Sequence, residues 1–297
     1  MSAVLIDDDA GVLPPSQPVA SSDPPPPFVP GVHDDIPAED YHRIEALSSG
    51  GCKLLLRSPA HYWWQRENPR EASDAMNVGT AVHIGVLEPE RWDDEIVLMP
   101  KFNRRSNAGK AEAEAWEAAH VGKVWLDEAD HAKALAIVGS VRRHPAAQRL
   151  LAEGVAERTL MWNDARHGTP CKARIDWHRP DGAMVDLKTT RDASPNAFGR
   201  QIADLMYHVQ AAHYWIGAEH ALDASPLYWA WIAVENEAPY CTAVYVLQAD
   251  ALRLGLRRQE RAVQLYTECM KRGFWPGYSD LINPATLPGW ALKETHE

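Results

Sequence analysis

The chain has 297 residues, 45% of them hydrophobic, and a formal net charge of −11. That is enough chain to bury a sizeable core in one large domain or two small ones. No apolar run approaches the roughly 20 residues that span a bilayer, and no basic stretch followed by an apolar one opens the chain, so neither a membrane span nor a secretory leader is expected. The acidity does not exclude a nucleic-acid partner, because it is uneven. Asp7, Asp8, Asp9, Asp23, Asp34, Asp35, Glu39 and Asp40 all lie within residues 1–40, which hold no Lys or Arg, and the rest of the chain carries only about −3. The cysteines, Cys52, Cys171, Cys241 and Cys269, form no CxxC pair. A zinc or iron–sulfur site built from neighbouring cysteines is therefore not supported, and a reducing cytoplasm fits best.

Residues 1–38 read as a disordered tail rich in Pro, Ser and Asp, including Pro24 to Pro27. A domain is predicted over 39–285, with a C-terminal tail over 286–297. Order is expected to begin near Tyr41. Ser48-Ser49 ahead of Lys53-Leu54-Leu55-Leu56 is a helix N-cap signal, and Pro59 marks a break before His61-Tyr62-Trp63-Trp64. A further helix is predicted from Asn77 to Leu87, ahead of Pro89. Residues 108–120 and 127–151 also read as helices. Three short strands follow, Ala156 to Trp162, Lys172 to His178 and Ala183 to Lys188. Residues 196–221 return to a helical pattern. Leu227 to Val234 and Tyr240 to Leu247 read as two more strands, and a closing helix over 249–272 is stopped by Gly273 and Pro276. The order predicts one α/β domain with a mixed central sheet flanked by helices.

The chemistry concentrates in Arg174-Ile175-Asp176-Trp177 and Val185-Asp186-Leu187-Lys188. Side chains alternate along a strand, so Ile175 and Trp177 should share one face with Asp176 on the other. Val185 and Leu187 should likewise oppose Asp186 and Lys188. Pro180-Asp181-Gly182 suits a three-residue hairpin loop that pairs Arg179 with Ala183, and hence Asp176 with Asp186. Two carboxylates facing each other destabilise a sheet unless a cation offsets them. A hard divalent ion such as Mg²⁺ would do so, and Lys188 adds a positive charge beside them. A solvated hairpin face with ordinary surface charges is the competing reading of the hairpin alone.

An Asp, about ten residues, then Asp-x-Lys after an apolar residue resembles the signature of the PD-(D/E)xK nucleases. Val185-Asp186-Leu187-Lys188-Thr189-Thr190, Gly79-Thr80-Ala81-Val82-His83 and Gln210-Ala211-Ala212-His213-Tyr214 stand in the order seen in RecB-like members. The RecE-like branch, typified by the C-terminal nuclease domain of exodeoxyribonuclease VIII, looks most similar, and Leu47-Ser48-Ser49 with Ser58-Pro59 looks like its entry helix. The resemblance covers roughly residues 40–280. It implies a restriction-endonuclease-like core. Asp176, Asp186 and Lys188 would be catalytic, with His83, Asp176, Asp186 and the Leu187 carbonyl holding Mg²⁺, for which Mn²⁺ can substitute. Glu157 would be an accessory acidic residue. Gly79 would let its helix approach the catalytic sheet closely.

Gln210 and Tyr214 are implied to lie near the DNA strand, with Tyr207 and Gln201 as weaker candidates on the same helix. Arg174, Thr189 and Thr190 are close enough in sequence to the chemistry to contact phosphate. Two further basic groups are candidates for tracking the backbone: Lys101, Arg104, Arg105 and Lys110, and Arg257, Arg258, Arg261, Lys271 and Arg272. Some relatives carry an iron–sulfur cluster on one early and three late cysteines. Cys241 and Cys269 stand apart here, so no cluster is expected. The implied activity is exonucleolytic hydrolysis of duplex DNA ends in phage or bacterial recombination, by a homo-oligomer that can work beside a single-strand annealing protein. The alternatives are an endonuclease or single-strand-specific nuclease of the same fold, or a non-catalytic DNA-binding protein.

Overall fold

The computed structural model describes residues 24–68 and 74–287. The N-terminal part carries β1 (Gly31–His33), α1 (Ala38–Arg43), α2 (Ser49–Arg57), α3 (Pro59–Glu67) and α4 (Asp74–Leu87). Next come α5 (Trp92–Glu95), β2 (Ile96–Leu98), α6 (Asn107–Ala119), β3 (Val124–Leu126), α7 (Glu128–Arg143) and α8 (Pro145–Leu150). The second half holds β4 (Val155–Asn163), β5 (Pro170–His178), β6 (Met184–Thr190), α9 (Pro195–Asp204), α10 (Tyr207–Ala221), β7 (Trp229–Glu235), β8 (Thr242–Val246) and α11 (Ala249–Arg272).

Local chemistry sets many of the boundaries. Ser48 accepts from Gly51 N to start α2, and Ser58 accepts from His61 N to start α3 with Pro59 in its first turn. Asp127 caps α7 through Asp130 N. The helix expected over 127–151 is in fact two. Pro145 holds His144 extended, and the His144 ring accepts from Ala147 N to begin α8. The helix expected over 196–221 is also two, separated by Leu205 and a left-handed Met206 (φ 51°).

Six strands form one mixed sheet in the order β1-β4-β5-β6-β7-β8. Only β6 and β7 run parallel, joined by the α9–α10 crossover, and every other neighbouring pair is antiparallel. Both faces are covered. Along β7, Trp229, Trp231 and Ala233 pack with Leu55 of α2, Val209 of α10 and Val263 of α11. Ile232 and Val234 pack with Val82 of α4 and Ile137 of α7 on the other side. Each fully buried large side chain of this kind contributes about 1.5–3 kcal/mol relative to exposure. The short parallel pair β2–β3 lies beside α4 and α7, burying Ile96 and Leu126.

The expected tail over 1–38 is corrected over its final residues. β1 pairs with β4, and Arg158 grips Asp34 at 2.7 and 2.8 Å. The rest of that segment, residues 1–23, lies outside the described residues, as do residues 288–297 of the expected C-terminal tail.

The role expected of Gly79 is also corrected, since a Cβ there would meet nothing within 4 Å. Close approach occurs instead at Gly255 of α11, where a Cβ would lie 2.1 Å from the His208 carbonyl oxygen of α10. Gly255→Ala is expected to force the two helices apart and destabilise the fold by about 1–3 kcal/mol or more. A denaturant midpoint equal to that of the parent chain would refute this packing account.

Candidate active site

The β5–β6 hairpin forms in the predicted register. Arg179 N donates to Ala183 O at 2.9 Å and Gly182 N to Arg179 O at 3.0 Å, with Gly182 in the left-handed region (φ 82°). The ladder then holds only Trp177 opposite Val185 and His178 opposite Met184. Beyond that point β5 and β6 separate, while β6 stays paired with β7 along its whole length. Asp176 occupies the opening of the fork. Its Oδ2 accepts from Leu187 N at 2.8 Å, replacing the missing strand–strand bond with a side-chain one.

The expectation that Ile175 and Trp177 share a face is contradicted. Ile175 lies in the core beneath α10, whereas Trp177 packs against the opposite core with Ala156 and Val185. The alternation reverses at Asp176, and β4 reverses with it. Ala156 pairs with Trp177 and Arg158 with Ile175, and between them Glu157 takes a left-handed conformation (φ 51°). A non-glycine residue there stores local strain, of the kind that clusters at functional sites.

The double reversal gathers acidic groups from two strands under α4. His83 Nδ1 lies 3.6 Å from Asp176 Oδ2, and the His83 ring also bonds the Leu187 backbone. One ligand atom from each of His83, Glu157 and Asp176 falls within 4.8 Å of the others, the one such group among the described residues. Burial, then the Asp176 charge, pushes the Glu157 carboxyl up to about 8, against the pull of Arg174. His83 is displaced downward, mainly by burial.

Asp186 is completely buried, on the α10 side of β6. Burial raises its carboxyl to about 7, with Lys188 pulling it back and Asp176 adding to the rise. Lys188 Nζ lies 2.6 Å from Asp186 Oδ2, an ion pair, and that oxygen has no well-formed hydrogen bond. Burial lowers the Lys188 value, but the carboxylates of Asp186 and Asp176 outweigh it, and the net displacement is upward. Three crowded carboxylates, an imidazole and an incompletely bonded buried oxygen are the donor set a hard divalent cation takes. The residues therefore fit such an ion.

Gln210 Nε2 donates to Asp186 Oδ1 at 2.8 Å, and Gln210 Oε1 accepts from Lys53 Nζ at 3.2 Å. Lys53 escaped the sequence reading, since it looks like the polar position of an amphipathic α2. Both Lys53 and Lys188 stand over the Tyr207 ring, at 5.1 and 5.3 Å from its centroid. Tyr207 in turn accepts from Gln201, whose Oε1 accepts a hydrogen bond from the Thr190 hydroxyl at 2.6 Å.

The other sequence candidates are placed as follows. Tyr214 is buried and meets Trp229 edge-on at 5.4 Å. Thr190 is buried, and with Thr189 lines a cavity of about 330 Å³. Arg174 is engaged by Thr159, by the Ile36 carbonyl and by Glu157 at 3.8 Å. Lys101 and Arg104 pair with Glu128 and Glu117, while Arg105 and Lys110 are exposed. Arg257, Arg258, Arg261, Lys271 and Arg272 lie on the exposed side of α11. Among the described residues no helix is long and apolar enough to cross a membrane.

The fold has a solved counterpart in a candidate exonuclease from Eubacterium rectale. The two are 14% identical and align with a TM-score of 0.59 over 88% of this chain and 99% of that one. A second structure, SSO0001, is 12% identical with a TM-score of 0.28 over 64% of this chain and 85% of that one, too low to carry an argument. No curated protein matches the chain. The family model described as a PDDEXK-like domain of unknown function (DUF3799) matches residues 48–287, which hold the fork, Lys53 and Lys188, and Glu157, Asp176 and Asp186. The chain belongs to this family and carries the mixed-sheet core of the PD-(D/E)xK nuclease superfamily.

Proposed function

We propose that the protein is a magnesium-dependent deoxyribonuclease, and specifically a RecE-like exonuclease acting on duplex DNA ends in phage or bacterial recombination. One observation carries the reading. The His83–Glu157–Asp176 group lies at the fork where β5 and β6 separate, next to the Asp186–Lys188 ion pair. A protein that only binds DNA has no use for buried, crowded carboxylates beside a lysine. The exonuclease-like name of the Eubacterium rectale neighbour and the family match support the same direction.

His83, Asp176, Asp186 and the Leu187 carbonyl would hold the ion, with Glu157 as the accessory carboxylate. Bound there, the ion would supply an activated water and charge stabilisation at the phosphate. Lys188 stays protonated in the metal-free protein, which favours electrostatic stabilisation of the pentacoordinate phosphate over proton abstraction. Gln210 holds the Asp186 carboxylate in place. Burial of Asp186 limits water and strengthens each of these interactions.

The test uses linear and covalently closed circular duplex DNA, with Mg²⁺ or with EDTA, and includes Lys188→Ala. Degradation of the linear form alone, requiring both Mg²⁺ and Lys188, is the expected result. Cutting of the circle would keep the site and replace the exonuclease with an endonuclease. DNA bound but never cut would overturn the enzymatic reading.

A further inference from the structure

We infer that Lys53 is a substrate-contacting residue: its ammonium group binds a phosphate of the nucleic-acid strand beside the scissile bond, as a second cationic arm opposite Lys188. The inference rests on the nuclease reading and extends it to an element remote in sequence from the hairpin.

Lys53 projects from α2, the helix started by Ser48, and Lys188 from β6. Their ammonium groups stand over one ring, that of Tyr207, so they lie no more than about 10 Å apart. That spacing suits the same phosphate or consecutive phosphates of one strand. The two cations are not equally neutralised. Lys188 has Asp186 at 2.6 Å, whereas Lys53 makes no ion pair with a carboxylate among the described residues. Its hydrogen-bond acceptor is the neutral Gln210 Oε1.

An ammonium carries three donors, and among the described residues one of them meets an acceptor. A half-buried cation with spare donors, adjoining a buried ion pair, is an incomplete arrangement in the free protein. Repulsion from Lys188 adds to burial in pushing the Lys53 value down to about 8. An anionic phosphate between the two ammonium groups would satisfy both. Once a divalent ion engages Asp186 and Asp176, less negative charge remains for either lysine, and the demand for an anion grows. A lysine acts at phosphate as a point charge, so the contact would be independent of base sequence.

The test compares the full chain with Lys53→Met and Lys53→Arg. Binding of a short duplex oligonucleotide is followed by fluorescence anisotropy in EDTA across a sodium chloride series. Steady-state cleavage is measured in Mg²⁺. Lys53→Met is expected to weaken binding about tenfold and to reduce the slope of log K against log salt by about one. KM should rise more than kcat falls, and Lys53→Arg should recover most of both losses. An unchanged salt slope with a loss confined to kcat would overturn the inference and leave Lys53 a positioning residue acting through Gln210 and Asp186. If Lys53→Met melts without cooperativity, Lys53→Arg decides alone, and failure to bind like the parent chain counts against the proposal. Should the parent chain bind the duplex without cutting it, the nuclease reading fails while the salt slope still tests Lys53.

Discussion

Lys188→Met is expected to slow phosphodiester hydrolysis by about 10³-fold or more, a loss typical of removing a preorganised charge from a transition state. Asp186→Asn should do comparable damage. The two side chains form one unit, with Lys188 Nζ 2.6 Å from a carboxylate that is otherwise sealed from solvent. Each sets the protonation of the other. Without Lys188, the buried Asp186 carboxyl, already raised to about 7, loses the cation that lowers it and becomes a poorer ligand. Without the Asp186 charge, Lys188 loses the first of the carboxylates that keep its own value high. The double variant should therefore be no slower than the worse single one, because groups acting as a unit do not lose their contributions additively. Single-turnover rates on linear duplex DNA in Mg²⁺ measure all three. Rates within tenfold of the parent for Lys188→Met, or two losses that multiply in the double variant, would break the pairing argument.

Between pH 6.5 and 8, the metal-free protein should lose stability as pH rises, and Mg²⁺ should reverse that trend. Asp186 and Glu157 sit near 7 and 8 in the folded chain, well above their ordinary values of 3.8 and 4.5. In this window the native state thus holds protons that the unfolded chain has already released, and stability must fall with pH. The contribution of these two carboxyls across it is a loss of order 2 kcal/mol. The window is bounded on both sides. Towards its lower end His42, His83, His178, His208 and His213, all displaced downward mainly by burial, act in the other direction, because the unfolded chain still binds their protons there. Towards its upper end and beyond, Lys53 and Lys172, both lowered to about 8, also act in the other direction. A divalent ion needs the ionised carboxylates, so its binding releases protons and its stabilising effect grows with pH. Thermal unfolding in EDTA and in Mg²⁺ at pH 6.5, 7 and 8 checks this. A Mg²⁺ shift that is flat with pH, or that survives in Asp176→Ala, would show that the ion binds elsewhere.

The parts of the site legible beforehand are those governed by short-range rules. Pro180-Asp181-Gly182 specifies a turn, and the turn specifies the register of Trp177 with Val185 and His178 with Met184, next to which the strands separate at Asp176 and Asp186. Pro145, which disfavours a helical His144, is the local signal that divides the helix expected over 127–151. What stayed hidden depends on the whole fold. Nothing local to Glu157 marks a left-handed residue, since Gly and Asn are the usual signals. The reversal of faces at Asp176 arises because β5 must serve two cores, and a strand read in isolation shows only alternation. Lys53 acquires its meaning from Gln210 and Tyr207, more than 150 residues later. Met206, which divides α9 from α10, is neither Gly nor Pro, and it directly precedes Tyr207, whose ring lies beneath two lysines.

The buried Lys172 has a practical bearing on where the folding unit starts. Its Nζ donates to the carbonyls of Tyr41, His42 and Ile44 at 2.6, 3.3 and 2.7 Å, closing the C-terminal end of α1, and stands 4.7 Å from the Tyr41 ring. Shortening the protein to the family-matched span from residue 48 would strip away all three acceptors and strand an ammonium group in the interior. It would also remove β1 and leave the nine-residue β4 as a bare sheet border, a template for pairing with other chains. A shortened protein that keeps these contacts must therefore start no later than Gly31, and one begun at residue 48 that aggregates would be reporting a missing border strand rather than an unstable nuclease core.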